Sequence, residues 1–134
     1  MSPDPVVTVR QASSLMKALA HLRDRFSTLT LTELTTLLAV AENQGVTVTG
    51  LADLCGYTIA TASRTTRGLA APDMPGALPP SRGLVTLRRG PHENRYRYVF
   101  LTPEGLELCR EVDRILLDAP AVRIVEDDAV GLAA

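Results

Sequence analysis

Apolar residues recur at helical spacing in the first part of the chain. Between residues 10 and 26 they stand three or four positions apart, which places them on one face of a helix. They are Ala12, Leu15, Met16, Leu19, Leu22 and Phe26. Residues 1–9 lack such a pattern, and we expect them to form a flexible N-terminal arm. The pattern therefore predicts a first helix over residues 10–26.

A second helix is predicted to begin at Thr30. Glu33 follows three residues later. At this spacing the hydroxyl and the carboxylate can each accept a hydrogen bond from a backbone N–H that the helix leaves unpaired. Apolar positions then continue the helix toward residues 43–45, at Leu34, Leu37, Leu38 and Ala41.

Two shorter helices are predicted on either side of Gly56. After a short β-type run at residues 46–48, Thr49 is expected to begin a helix over 50–55, and Thr58 is expected to cap the next, over 58–70. The inward positions of that helix are expected to be Ala62, Thr65, Thr66 and Leu69. Two short helices joined by a tight turn form a helix-turn-helix.

A β-hairpin is predicted over residues 84–101. Residues 84–87 favour a strand, 88–94 a polar turn with Gly90 and Pro91, and 96–101 the returning strand. A hairpin that follows the second helix of a helix-turn-helix is a wing. The order of elements therefore predicts a mainly α fold with a small β wing (α+β), a winged helix-turn-helix.

A last helix is predicted to follow the hairpin. Thr102 can cap it, Pro103 suits its first position, and Glu104 places an acid in its first turn. Its apolar face carries Leu106, Cys109, Val112, Ile115 and Leu116, and it ends near residue 118. We expect one domain over residues 10–118, followed by an acidic tail over 119–134.

Composition limits the class of protein without naming it. The chain has 134 residues, 46% of them hydrophobic and 22% charged, which is typical of one globular domain. No apolar run is long enough to cross a membrane, and the first residues do not resemble a secretory signal, so we expect a cytoplasmic protein. The net charge of −1 taken alone argues against nucleic acid.

The net charge conceals an uneven distribution. Residues 64–97 contain seven arginines and two acids, whereas residues 98–134 contain three arginines and eight acids. Such blocks of opposite sign indicate a basic working face and an acidic remainder. The preference for arginine over lysine suits phosphates and guanine edges, although codon bias in the genome produces the same composition.

The basic block provides a candidate surface for double-stranded DNA. The outward face of the helix over 58–70 offers small, hydroxyl and arginine side chains: Thr58, Ala60, Thr61, Ser63, Arg64, Arg67 and Gly68. In the wing the basic residues are Arg88, Arg89, His92, Arg95 and Arg97. Small residues let a backbone approach a groove, and hydroxyls and guanidinium groups bind phosphates and base edges. The alternative is a solvated helix face, but such a face seldom lacks acids.

Enzymatic chemistry finds no support in the sequence. It contains no glycine-rich phosphate loop, no nucleophile elbow and no pair of histidines at metal-binding spacing. Cys55 and Cys109 fall at inward helical positions and are expected to be small core residues, with a redox-sensing thiol as the alternative. Aromatic and basic residues alternate over 95–100, which favours one packed strand face over stacking on single-stranded bases. We expect no metal and no cofactor, and the pattern identifies no small-molecule effector.

The wing resembles that of the MarR-type winged-helix transcriptional regulators. Glu93 and Arg95, then Val99, Leu101-Thr102 and Gly105, follow the family run D-x-R-x-x-x-V-x-L-T-x-x-G, with glutamate in place of aspartate. The resemblance covers roughly residues 31–114. It implies a homodimer held by the terminal helices, a recognition helix in each major groove and a wing at each minor groove. It also implies that Glu93 orients Arg95 by a charge-assisted pair.

The sequence departs from this family in two places. Residues 70–82, with four prolines, form an insertion where the family has only a few residues; we interpret it as a tolerated surface insertion, with a contact to DNA or protein as the alternative. The region after the wing is also shorter than in many relatives.

The sequence therefore predicts a repressor that binds double-stranded DNA as a dimer. Two alternatives remain: a winged-helix module for plasmid or phage replication or DNA maintenance, and a winged helix that binds protein without affinity for DNA.

Overall fold

The computed structural model describes residues 6–9, 11–90, 97–118 and 121–124 of the chain. Within these residues the elements follow in the order β1 (Val6–Val9), α1 (Gln11–Arg25), α2 (Leu31–Glu42), β2 (Val46–Thr47), α3 (Val48–Cys55), α4 (Ile59–Leu69), β3 (Val85–Arg89), β4 (Arg97–Leu101), α5 (Pro103–Leu117) and β5 (Ala121–Ile124). The contacts divide the chain into one unit over Thr28–Glu111 and another that combines the terminal segments.

Threonine hydroxyls begin most helices of the Thr28–Glu111 unit. The predicted capping box of α2 is confirmed. The backbone N–H of Glu33 donates to Thr30 Oγ1, and the backbone N–H of Thr30 donates to Glu33 Oε1, each at 3.0 Å. Thr58 caps α4 as predicted, since its Oγ1 accepts from the N–H of Thr61. The prediction that Thr49 begins α3 is wrong. Thr47 caps it instead, because this residue is still extended at the end of β2 and its hydroxyl reaches the N–H of Gly50.

The wing is part of a three-stranded antiparallel sheet with the order β2-β4-β3. The predicted polar turn begins too early, because Arg88 and Arg89 belong to β3 and pair with Tyr98 and Arg97 of β4. Alternation along the strands places Val85, Leu87 and Val99 on the buried face. The first two residues of the predicted turn are therefore strand residues with exposed side chains.

A single apolar core holds the helices of this unit against the sheet. Its fully buried large side chains come from every helix and from the wing, and include Leu37, Val40, Leu51, Leu69, Leu84, Val85, Val99 and Leu108. The first turn of α5 lies very close to Leu84, the residue before β3. A Cβ on Gly105 would lie only 2.1 Å from the Leu84 carbonyl oxygen. Thr102 caps α5 as predicted, accepting from the N–H of Gly105 and donating to the Gly83 carbonyl.

The terminal unit contains α1, the end of α5 and a two-stranded sheet. Strands β1 and β5 pair antiparallel, from Val6 opposite Ile124 to Val9 opposite Ala121, although the sequence pattern predicted no strand in either segment. In α1 the buried positions are Ser14, Ala18 and Leu22. Three residues of the predicted apolar face are exposed: Leu15, Met16 and Leu19, at 50, 65 and 40%. The apolar stripe along α1 therefore extends beyond the part of the helix that is buried.

Backbone hydrogen bonds join the insertion and the two residues after it to the end of α4. The carbonyls of four consecutive residues, 67–70, accept hydrogen bonds from the N–H groups of Leu78, Arg82, Leu84 and Gly83, at 2.9, 3.0, 2.8 and 3.3 Å. A helix leaves its last carbonyls without partners inside the helix, so these bonds complete its C-terminus. The insertion therefore caps α4 and is not merely a loop laid on the surface.

A buried ion pair fixes the far end of the insertion. Arg82 donates from Nε to Glu33 Oε2 at 2.5 Å and from Nη2 to Glu33 Oε1 at 3.0 Å, and the two side chains are only 7 and 11% exposed. Nη2 also donates to Thr28. Burial by itself raises the pKa of the Glu33 carboxyl, but the hydrogen bonds from Arg82 and Thr30 outweigh it, so this pKa lies below its ordinary value.

We expect Arg82→Leu to lower the free energy of unfolding by about 3 kcal/mol at pH 7, because it leaves the Glu33 carboxylate buried without its partner. The lowered pKa of Glu33 stabilises the wild type above pH about 4.5, and this contribution is lost as the pH falls through the folded-state value. Urea denaturation at pH 7 and at successively lower pH measures both effects, and the difference between the two proteins should narrow as the pH falls. Arg110→Leu, on an exposed position of α5, is the control. A loss below about 0.5 kcal/mol at pH 7 would contradict the assignment.

Candidate nucleic-acid interface

Helix α4 presents the predicted outward face. Thr58, Ala60 and Arg64 are exposed, and Thr61 and Ser63 are half-buried. The inward set is also confirmed for its main members, since Ala62, Thr66 and Leu69 are buried. One predicted outward residue is misplaced: Gly68 is buried, because the insertion crosses it and places Pro79 and Pro80 within 4 Å of a Cβ built there.

The orientation of α4 depends on the turn that precedes it. Gly56 ends α3 in the left-handed conformation, with φ +70°, and Tyr57 follows in the turn. The Tyr57 hydroxyl lies 2.7 Å from Thr36 Oγ1 of α2. Burial raises the pKa of Tyr57 to about 12, with a further upward contribution from Cys55, so the phenol stays protonated and the bond to α2 is retained across the neutral pH range.

Two of the predicted arginines meet beside this helix. Arg67 of α4 and Arg97 of β4 both line a surface cavity of about 260 Å³. The rest of its lining comes from α4 and the start of α3: Thr47, Val48, Thr49, Ile59 and Ser63. Among the described residues this lining contains no carboxylate. The tertiary structure therefore joins the two halves of the predicted site, the helix and the wing, at one concave surface.

Wing arginines occupy both faces of the hairpin. Arg89 and Arg97 stand directly opposite each other in the register of β3 and β4, on the same face. Like charges at directly opposed positions repel, and an anion bound between them removes that repulsion. Arg88 lies on the other face, where its guanidinium carbon is 4.7 Å from the centre of the Phe100 ring. Stacking on an aromatic ring gives this cation a fixed direction.

The remaining predicted wing residues lie outside the described part of the chain. His92, Glu93 and Arg95 all fall within residues 91–96. The predicted orientation of Arg95 by Glu93 therefore stays a prediction. Within the described residues no helix is long and apolar enough to span a bilayer, and no group of three His, Cys, Asp or Glu side chains could hold a metal ion.

Sequence reasoning missed the insertion's part in this surface. Nε of Arg67 donates to the carbonyl oxygen of Gly76 at 2.6 Å. A Cβ on Gly76 would also lie 3.3 Å from Nη1 of Arg97. No local pattern marks Gly76, because the residues that it touches are nine and twenty-one positions away along the chain. The sequence marked the loop as an insertion, but only folding brings it against both arginines.

We expect Arg89→Gln to raise the free energy of unfolding by a few tenths of a kcal/mol at low salt, because it removes the repulsion from Arg97 directly opposite. The gain should shrink as salt screens the charges. Thermal denaturation at low and high salt measures it, with Arg64→Gln, on the exposed face of α4, as the control. Equal gains from both variants would contradict a specific repulsion between Arg89 and Arg97.

The solved structures that match this chain belong to one group of transcriptional regulators. The complex of S. aureus MepR with DNA aligns at a TM-score of 0.62 and 19% identity, covering 80% of this chain and 79% of that chain. Streptococcus pneumoniae FabT in complex with DNA aligns at 0.56 and 16% identity, covering 91% and 80%. A MarR-like transcriptional regulator from Thermotoga maritima aligns at 0.53 and 25% identity, covering 79% and 77%.

No protein-family model matches the chain, and no curated protein sequence matches it either. The likeness is therefore one of structure at low sequence identity. It confirms the resemblance drawn from the wing residues at the level of the fold. The chain has the winged helix-turn-helix fold of the MarR-type transcriptional regulators.

Proposed function

We propose that this chain is a sequence-specific regulator of transcription that binds double-stranded DNA and acts as a repressor. In this proposal α4 enters the major groove and the wing lies at the minor groove. The observation that carries it is the exposed surface of α4 together with the adjoining strand ends of the wing. That surface offers hydroxyls, small side chains and guanidinium groups, and among its described residues it offers no acid.

Each part of this surface suits a different part of a duplex. Exposed Ala60 permits close approach of the backbone, and the hydroxyls of Thr58 and Thr61 can bind phosphates or base edges. Arg64 is exposed and makes no hydrogen bond or ion pair with the residues that the structure describes, so its fork is available for guanine or phosphate. Two neighbours in structure, MepR and FabT, were solved with DNA.

A homodimer is part of the proposal. Helix α1 exposes three large apolar side chains, Leu15, Met16 and Leu19, along one stripe. Exposed apolar stripes of this kind mark protein interfaces more often than plain solvent-facing surface. A second copy of the chain covering α1 would give a twofold arrangement, which suits a palindromic operator.

A protein-binding winged helix is the second candidate. Ile59 at the start of α4 and Leu54 of α3 are each 57% exposed, which is unusual for a surface that contacts only DNA. Ile59, however, lies in the cavity beside Arg67 and Arg97, where the surrounding charge favours a polyanion over an apolar partner. A module for plasmid or phage DNA maintenance would share the same DNA-binding surface.

The first test is selection of binding sites from random duplexes with the purified chain. We expect a palindromic site whose half-sites are about one helical turn apart, and an affinity that falls steeply with salt. Arg64→Ala should weaken binding to that site about tenfold, the loss expected for one arginine contact to a base. Arg110→Ala on α5 should leave affinity unchanged. Failure to select any site, or an affinity independent of salt, would overturn the proposal in favour of protein binding.

The second test concerns the dimer. Sedimentation velocity should show a species of twice the 14.4 kDa chain mass, and Met16→Glu should shift it toward the monomer, because a charge would be buried at the interface. Lys17→Glu is the matched control, since Lys17 is the adjacent exposed residue of α1 outside the apolar stripe. A monomeric wild type, or a Met16→Glu variant as dimeric as the wild type, would count against an interface on this stripe.

A further inference from the structure

We propose that the cavity beside α4 is a phosphate site formed by Arg67 and Arg97, and that Gly76 of the insertion positions both arginines. The proposal rests on the proposed function for the source of the phosphate, which is one phosphodiester of the DNA backbone. It also gives the insertion a role: residues 70–82 become part of the binding surface and not a tolerated addition.

Donors around the cavity come from three elements. Arg67 belongs to α4, Arg97 to the first residue of β4, and Thr49 to the first turn of α3, with Ser63 one turn before Arg67. Both arginines are half-buried, and the cavity volume of about 260 Å³ admits a phosphate group with some of its water. Two guanidinium groups and two hydroxyls around one concave space form a donor set that matches phosphate oxygens.

Gly76 accepts a hydrogen bond from Arg67 and lies beside Arg97. Its carbonyl oxygen accepts from Nε of Arg67 at 2.6 Å, which leaves the terminal nitrogens of that guanidinium for another acceptor. A Cβ on Gly76 would lie 3.3 and 3.8 Å from Nη1 and Nη2 of Arg97, and 3.7 Å from Nε of Arg67. Both arginines therefore have side-chain nitrogens within 4 Å of the point where any other residue at position 76 would carry its Cβ.

The rest of the insertion holds Gly76 in place. Leu78, two residues later, donates its N–H to the main-chain carbonyl of Arg67 at 2.9 Å. Arg67 is thus held by the insertion at its backbone and at its side chain. Further bonds from Arg82 and Gly83 to Gly68 and Ala70 fasten the end of the insertion, so the direction of the Arg67 side chain is set before any ligand arrives.

Two cations that line one cavity favour an anion as the ligand. Arg97 also faces Arg89 across the hairpin, so a third positive charge adds to the potential at this end of the wing. Among the described lining residues no carboxylate offsets these charges. A phosphate bound between Arg67 and Arg97 would relieve their repulsion, and binding would release counterions from the DNA.

The decisive experiment compares Gly76→Ala with Gly83→Ala. Both glycines have positive φ, +85° and +76°, so both substitutions introduce similar backbone strain. Only at Gly76 would the new Cβ meet the arginines, because nothing lies within 4 Å of a Cβ at Gly83. We expect Gly76→Ala, which makes the end of the Arg97 side chain move by a few tenths of an ångström, to weaken binding to the selected duplex, by less than removal of the Arg97 charge does, and to leave the slope of affinity against salt unchanged. Gly83→Ala should keep the wild-type affinity and slope. Equal losses in the two variants would overturn the role of Gly76.

Arginine variants test the phosphate site separately. Arg67→Gln and Arg97→Gln should each weaken DNA binding uniformly across sequences, and together by less than the product of the two single effects, because both act on one phosphate. Circular dichroism and thermal denaturation of the two glycine variants, the two single arginine variants and the double arginine variant identify losses that come from unfolding. Fully multiplicative effects, or losses confined to one base position, would overturn a shared phosphate.

Titration with inorganic phosphate distinguishes failure of the site from failure of the proposed function. In the wild type without DNA, NMR signals of the Ser63 and Gly76 amides and of Arg67 Nε should shift with phosphate, and Arg97→Gln should abolish the shift. Shifts in a chain that binds no duplex would support the site and overturn the proposed function. DNA binding without these shifts, and unaffected by Arg67→Gln, would overturn the site and leave the proposed function standing.

Discussion

The end of α4 is where the wing, the insertion and the helix-turn-helix are joined. Carbonyls of residues 67–70 accept from N–H groups of the insertion and of Gly83 and Leu84, the two residues before β3, so one set of backbone bonds completes the helix and leads into the sheet. The Arg82–Glu33 pair extends this junction to α2, where the same carboxylate closes the capping box. A buried carboxylate that serves two elements couples them, because loss of either partner leaves a charge without compensation.

The junction explains why a proline-rich insertion can lie beside α4 without disturbing it. A loop of thirteen residues would ordinarily move independently of the helix that it follows. Here Leu78 and Arg82 of the loop donate backbone hydrogen bonds to that helix, and the carbonyl oxygen of Gly76 accepts one from the Arg67 side chain. The helix can therefore present an outward face of small and hydroxyl residues, which contribute little to its own stability, because its C-terminus is secured elsewhere.

Electrostatics at this surface opposes stability in the free protein. Arg89 and Arg97 face each other, and Arg97 also lies close to Gly76 and the Arg67 side chain. A chain with a net charge of −1 holds seven of its fourteen lysines and arginines within residues 64–97 and eight of its fifteen acids within residues 98–134. Under the proposed function, this arrangement lowers non-specific attraction to nucleic acid and makes binding depend on the shape of the basic surface.

What the sequence determined by itself is local. Capping by Thr30, Thr58 and Thr102 was predictable because donor and acceptor are three residues apart. Helical periodicity identified some buried positions, such as Leu37 and Val112, but missed others, such as Val40 and Leu108. Thr47 in place of Thr49 was the local failure, since the extended end of β2 decides which hydroxyl is available. The tertiary structure decided what the insertion does. Arg82 meets Glu33 across 49 positions, and Gly76 meets Arg67 and Arg97 only after the loop folds back, because such contacts depend on chain geometry that no local pattern records.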